Sequence, residues 1–263
     1  GRHCGGVFDG AGRGAQTQMN KPKRHIAPFI RIAAFFGVCL SVTSVCAAEF
    51  DVGRATMVFP TEGWRVVQVD DKGRAYDGEV SGSIQSETKI FVYQSPESAA
   101  EAVIVVRGSS GGMSNGYMSY SPSCKNSDEV YAEGNSGYDT GFAQCLIVLP
   151  LYMAPSVLEK LAPQAERILK DQGVNVPKAV STVWSQYANS NGTFLDVRAF
   201  FAPSFAGHDA SVDAKLPSGV LAQNVAWGRL LTQAVRGSVN SFSGKLVFPS
   251  LEFKRQKLAL LQD

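Results

Sequence analysis

Apolar residues that alternate with polar ones, or that follow each other in short runs, predict β-strands along much of the chain. Segment 83–94 alternates and is the longest of them. The run Val103–Val106 is continuous and β-branched, which is typical of a central strand buried on both faces. Segments 180–188 and 193–202 flank Asn189-Ser190-Asn191-Gly192, and Asn-Gly is a strong hairpin signal. The remaining predicted strands are 55–59, 64–69, 146–149 and 245–248.

Helical periodicity occurs in two later segments. Apolar residues recur at helical spacing within 155–172, and Pro163 predicts that this helix is kinked or split into two short ones. Segment 219–240 has a second apolar stripe, and Ser218 just before it is suited to the N-cap.

Hairpin-connected strands followed by late helices favour an α+β fold. We predict a mostly antiparallel sheet with the two main helices packed on one face, in a single domain over residues 49–263. The segment Phe59-Pro60-Thr61-Glu62-Gly63-Trp64 resembles the first strand of small PsbP-like α+β proteins. This resemblance covers six residues and assigns no functional residue.

The N-terminal region 1–48 has the three parts of a secretory signal peptide. Met19 opens a basic segment, an uncharged apolar run covers 32–45, and small residues precede Glu49. We therefore expect cleavage after Ala47 or Ala48, a bacterial periplasmic or secreted location, and no transmembrane segment in the mature chain. An uncleaved membrane anchor is the alternative. Residues 1–18, before Met19, are interpreted as translated upstream sequence or a remnant of cloning.

Removal of the leader changes the charge of the protein. The full sequence of 263 residues has 25 Lys plus Arg, 23 Asp plus Glu and a formal charge of +2. Six of the basic residues and one acid lie within 1–48, so the mature chain carries 19 basic and 22 acidic residues, a net charge of −3. A mildly acidic domain without a basic stripe argues against a nucleic-acid partner.

Cleavage also leaves two cysteines, Cys124 and Cys145, and one histidine, His208. In an exported chain two cysteines most simply form one disulfide, and two free thiols are the alternative. Neither a zinc pattern nor an EF-hand, P-loop or dinucleotide pattern is present, so we predict no metal site and no cofactor.

The segment 109–142 loses all periodicity and is rich in Gly, Ser, Asn and Tyr. A loop of this length is usually functional or disordered. Aromatic rings among small polar residues are typical of recognition loops, and a disulfide would restrict the loop's freedom. The alternative is that the rings fold back and cover the sheet edge. The candidate binding residues are Tyr117, Tyr120, Tyr131, Tyr138 and Phe142.

A catalytic alternative comes from Gly108-Ser109-Ser110-Gly111-Gly112, which matches the G-x-S-x-G elbow of α/β-hydrolases. Ser110 would be the nucleophile, His208 the base and Asp196 the orienting acid. The elbow needs a helix directly after the serine, and the residues that follow are poor helix formers. Asp196 is two residues from Arg198 on one predicted strand face, and the two are more simply explained as a surface ion pair.

We therefore expect an exported, non-catalytic binding or envelope accessory module whose partner is an envelope protein or a small ligand. The first alternative is a periplasmic serine hydrolase that uses Ser110 and His208. The second is a membrane-associated accessory protein that uses the basic tail 253–261.

Overall fold

The computed structural model describes residues 48–61, 63–67, 74–75, 84–94, 99–111, 124, 129–137, 141–162, 165–203 and 218–251. The strands among them are β1 (Ala48–Val52), β2 (Ala55–Phe59), β3 (Trp64–Val67), β4 (Arg74–Ala75), β5 (Ile84–Tyr93), β6 (Ala102–Ser109), β7 (Tyr131–Gly137), β8 (Phe142–Met153), β9 (Ala179–Asn189), β10 (Phe194–Phe201) and β11 (Lys245–Val247). The helices are α1 (Ala154–Leu161), α2 (Ala165–Asp171) and α3 (Ser218–Asn240).

The larger sheet has eight strands in the order β3-β5-β6-β10-β9-β8-β7, with β4 paired to β5, and all its pairings are antiparallel. The hairpin β9–β10 closes at Asn189–Gly192 as predicted, and the Asn189 side chain accepts a hydrogen bond from the Thr193 amide at 3.1 Å. β6 lies between β5 and β10 and is buried on both faces, which confirms the interpretation of its β-branched run.

The smaller sheet joins the beginning of the described chain to its end. β1 pairs with β2 in an antiparallel hairpin, and β11 pairs with β2 in parallel. Lys245 on β11 and Glu49 on β1 add an ion pair across this sheet, with Nζ and Oε1 2.8 Å apart. The predicted α+β fold with a mostly antiparallel sheet is confirmed.

The helices pack on opposite faces of the larger sheet, so the expectation that they share one face is wrong. Trp227, Leu231 and Val235 of α3 belong to one buried cluster, which also includes side chains of the smaller sheet. Leu158 of α1 and Leu169 of α2 belong to a second cluster. Alternate residues of the central strands supply the two clusters, because successive side chains in a strand point to opposite faces. The continuous apolar run Val103–Val106 in β6 is explained by a sheet that is covered on both sides.

The helix predicted over 155–172 is split in two, with α1 ending at Leu161 and α2 beginning at Ala165, which confirms the prediction made from the proline in this segment. The predicted loop 109–142 contains a strand, β7, which the sequence pattern missed. β7 has two glycines and no apolar alternation; it lies at the end of the strand order and is paired along its whole length with β8. Its structure therefore comes from this tertiary pairing and not from local propensity.

No helix in the described part of the chain is long and apolar enough to cross a bilayer.

Candidate functional site

One disulfide joins Cys124 to Cys145 on β8, with the two Cα atoms 5.3 Å apart. The backbone of β7 passes close to it. A Cβ atom on Gly134 would collide with the Cys124 sulfur and would lie 2.6 Å from the carbonyl oxygen of Gln144. Because Gly134 has no side chain, the disulfide can lie directly beside the backbone of the edge strand β7.

Two predicted binding residues have structural contacts instead of open exposure. Tyr131 on β7 is half-buried and lies under the guanidinium of Arg229, 5.5 Å from the ring centre. Phe142 stacks on Tyr187 at 5.6 Å and is covered by Arg236 at 5.4 Å. Both rings are partly buried against the cluster on the α3 face of the sheet, and their role in binding stays a prediction. Tyr117, Tyr120 and Tyr138 lie outside the described residues.

Charge organises the contact between β7 and α3. The Tyr131 hydroxyl donates a hydrogen bond to the Glu133 carboxylate, and Arg229 donates to both groups, at 2.6 Å and 3.0 Å. The hydrogen bond from Tyr131, and secondarily the one from Arg229, lowers the pKa of Glu133. The same carboxylate raises the pKa of Tyr131 and of Arg229. These interactions therefore favour the state in which the Tyr131 phenol is neutral and Glu133 and Arg229 are charged.

The serine-hydrolase candidates are not brought together by the described residues. Both carboxylate oxygens of Asp196 accept hydrogen bonds from Arg198, at 2.9 Å and 2.8 Å, and Asp196 is only 5% exposed. Asp196 is opposite Arg107 in the sheet. Ser110 follows three residues later, about 10 Å along the strand at ~3.3 Å per residue. His208 lies outside the described residues.

A cleft of about 190 Å³ opens at one end of the larger sheet, where it meets the smaller sheet and the end of α3. Four segments that are distant in sequence form its walls. They are the β1–β2 turn at Val52–Ala55, the end of β6 at Gly108–Ser109, the β9–β10 hairpin at Asn191–Leu195, and the end of α3 with its following turn at Ser238–Gly244. Ser110, the next residue after the β6 wall, donates its amide to the carbonyl of Gln85 at 2.9 Å.

Sequence reasoning missed this cleft. Its side chains Arg54, Asn191, Thr193 and Phe242 are ordinary turn residues, and no spacing rule connects them. The available signals are turn glycines in three of the four segments, Gly53, Gly192 and Gly244, which have φ of +58°, +82° and +61°.

Neither metal ligands among the described residues nor a similar protein indicates a function for this site. Within the described residues no group of three or more His, Cys, Asp or Glu is placed to hold a metal ion. Comparison with protein-family models, curated proteins and solved structures finds no match to this chain.

Proposed function

We propose that this protein is an exported, non-catalytic binding module of the bacterial envelope, and that segment 109–142 and the adjoining cleft form its binding end. The observation that carries the proposal is the disulfide at Cys124–Cys145, which ties this segment to β8, a strand paired on both sides.

The predicted cleavage positions are compatible with the β1–β2 hairpin. Ala48, in β1, pairs with Phe59 of β2, and cleavage is expected after Ala47 or after Ala48. A signal peptidase acting there removes the leader and keeps four or all five residues of β1.

The way in which the segment is held supports binding. At its beginning, the Ser110 amide continues the hydrogen bonding between β6 and β5. The disulfide joins the segment to β8, and Arg229 of α3 forms an ion pair with Glu133 of β7 within it. Restricting a recognition loop before binding lowers the conformational entropy that is lost on binding.

Export is tested by cell fractionation and by the N-terminal sequence of the recovered protein. We expect a periplasmic protein that begins at Ala48 or Glu49. A cytoplasmic protein that retains Met19 would remove the export part of the proposal.

Binding is tested by recovering partners from a cross-linked envelope extract. The variant Tyr117→Ser/Tyr120→Ser removes two rings of the segment, and Leu230→Ser is the matched control because Leu230 is an exposed apolar residue of α3. We expect the double variant to lose partners that wild type and the control both recover. Identical recovery by all three proteins would sink the assignment of binding to the segment.

Catalysis is tested with a fluorophosphonate probe. We expect no labelling. Labelling that disappears in Ser110→Ala would overturn the non-catalytic part of the proposal.

A further inference from the structure

We infer that the cleft at the end of the sheet binds a small ring-bearing carboxylate, with the carboxylate at Arg54 and the ring against Phe242. This inference rests on the proposed function, because it names the ligand class of a binding module.

The walls of the cleft are fixed before any ligand arrives. The Arg54 amide donates to the Ser109 carbonyl at 3.1 Å, and the Thr56 amide donates to the Gly244 carbonyl at 3.1 Å. The Ser238 hydroxyl also donates to the Gly244 carbonyl, at 2.7 Å. These bonds connect three of the four wall segments to each other through their backbones, so that the site is preorganised.

Two glycines allow this close approach. Gly53 and Gly244 both have positive φ, and a Cβ atom at either would lie 2.5–2.6 Å from a backbone oxygen of the opposite wall, that of Ser109 or Arg54. Residues with side chains would push the walls apart, since the obstructing atoms belong to the backbone.

The polar groups of the cleft divide into two sets. The hydroxyls of Ser109, Ser238 and Ser241 are engaged with neighbouring backbone groups. The Asn191 side-chain oxygen accepts the Thr193 amide at 2.9 Å, which leaves the Asn191 NH₂ group directed elsewhere. Within the described part of the chain, this NH₂ group, the Thr193 hydroxyl and the Arg54 guanidinium have no protein partner.

The second set consists of one cation and two groups that can donate hydrogen bonds. No Asp or Glu is among the lining residues. A ligand that complements this set must present acceptors and negative charge, and an arginine fork matches a carboxylate in a bidentate geometry. The carboxylate belongs at Arg54 and away from the C-terminal end of α3, because that end carries partial negative charge.

The wall formed by the end of α3 and its following turn favours a ring. Phe242 is fully exposed at the tip of the turn after α3, and it lines the cleft together with Val239 and Leu195. An exposed phenyl ring offers a flat apolar surface for a second ring. The volume of about 190 Å³ is smaller than the ~300–1,000 Å³ of sites for drug-sized ligands, and it limits the ligand to about one ring.

The test is an NMR titration of the ¹⁵N-labelled protein with its disulfide intact. Glucuronate and 4-hydroxybenzoate represent the sugar-acid and aromatic-acid sources of a ring-bearing carboxylate, and glucose and phenol are their counterparts without it. We expect at least one acid to shift the amide signals of Val52, Ser109 and Gly244, and to do so at least tenfold more tightly than its neutral counterpart.

Arg54→Ala should weaken this binding by about tenfold or more, because a hydrogen-bonded charge is lost. Arg65→Ala is the matched control, since Arg65 is another exposed arginine, bonded to Gln94 away from the cleft. Phe242→Ala should weaken binding about threefold to tenfold. Unchanged binding in Arg54→Ala, shifts confined to other surfaces, or no shift with either acid would each overturn the inference.

The partner-recovery experiment separates this failure from failure of the proposed function. If neither acid binds but partners are still lost in Tyr117→Ser/Tyr120→Ser, the cleft assignment fails and the binding module stands. If the acids bind and no partner depends on the segment, the cleft assignment stands and the assignment of binding to segment 109–142 fails.

Discussion

Gly228 of α3 lies directly against side chains of the larger sheet, and this contact makes a sharp stability prediction. A Cβ atom at this position would lie 2.6 Å from Cδ1 of Leu146 and 3.0 Å from Cγ1 of Val183. Both of those side chains are fully buried, so neither has free space to move into. We predict that Gly228→Ala lifts α3 from the sheet.

Gly237, nine residues later in α3, supplies the matched control. A Cβ atom there meets nothing within 4 Å. Alanine is favoured over glycine by about 1 kcal/mol in a helix interior, so Gly237→Ala should stabilise the protein by up to about that amount. Gly228→Ala has the same helical gain and in addition an overpacking cost of about 1–3 kcal/mol. The difference between the two variants therefore isolates the steric cost, with Gly228→Ala the less stable by about 1–3 kcal/mol.

The measurement is guanidinium denaturation followed by far-UV circular dichroism, since Trp227 next to Gly228 would make fluorescence respond to the local change itself. Leu146→Val should be less harmful in the Gly228→Ala background than in wild type, because the smaller side chain makes room for the new methyl group. Equal stability of the two alanine variants, or no such rescue, would refute the close packing of α3 at Leu146.

Three further predictions concern buried polar groups, charge and the disulfide. The fully buried Thr182 hydroxyl has no partner within the described residues, so Thr182→Val should raise the free energy of unfolding by up to about 1 kcal/mol. Thr232→Val breaks the hydrogen bond between the buried hydroxyls of Thr232 and Ser185, which are 2.9 Å apart, and should lower the free energy of unfolding by about 1–3 kcal/mol. Equal effects of the two valine variants in denaturation curves would contradict this contrast. Because the pKa of Glu133 is lowered in the folded state, its contribution to stability is present above its unfolded value of 4.5 and is lost as the pH falls through the folded value. Glu133→Gln should therefore flatten the loss of stability in acid-titrated denaturation series, and an unchanged slope would count against the cluster. Replacing Cys124 and Cys145 by serine should cost about 3 kcal/mol for a sequence separation of 21, and a melting temperature equal to that of wild type would exclude a stabilising disulfide.

Strands and helices with strong periodicity were predictable from the sequence. Val103–Val106 and the hairpin turn at Asn189–Gly192 are local signals, and both are confirmed by the structure. β7 was not predictable because its residues have no strand pattern, and its structure depends on pairing with β8. The helices lie on opposite faces of the sheet. The apolar stripe of a helix does not specify which face of the sheet it will cover, because that depends on tertiary packing.

The candidate site was less accessible to sequence reasoning than the fold. Regular spacing identifies residues on one element, whereas Arg54, Thr193 and Phe242 reach the cleft from three different turns. Aromatic content did identify Tyr131 and Phe142 as unusual, but it could not distinguish rings offered to a ligand from rings covered by arginines of α3. The cysteine count was informative because a disulfide needs only two residues and a suitable distance.

The smaller sheet has a consequence for the order in which the chain is made. Thr56 of β2 pairs with Lys245 of β11, which lies 189 residues later in the chain. All the elements between them must leave the ribosome before β2 acquires its second neighbour and the rigid wall at Gly244 can form. The smaller sheet therefore stays incomplete until β11 is made, however early β1 and β2 pair.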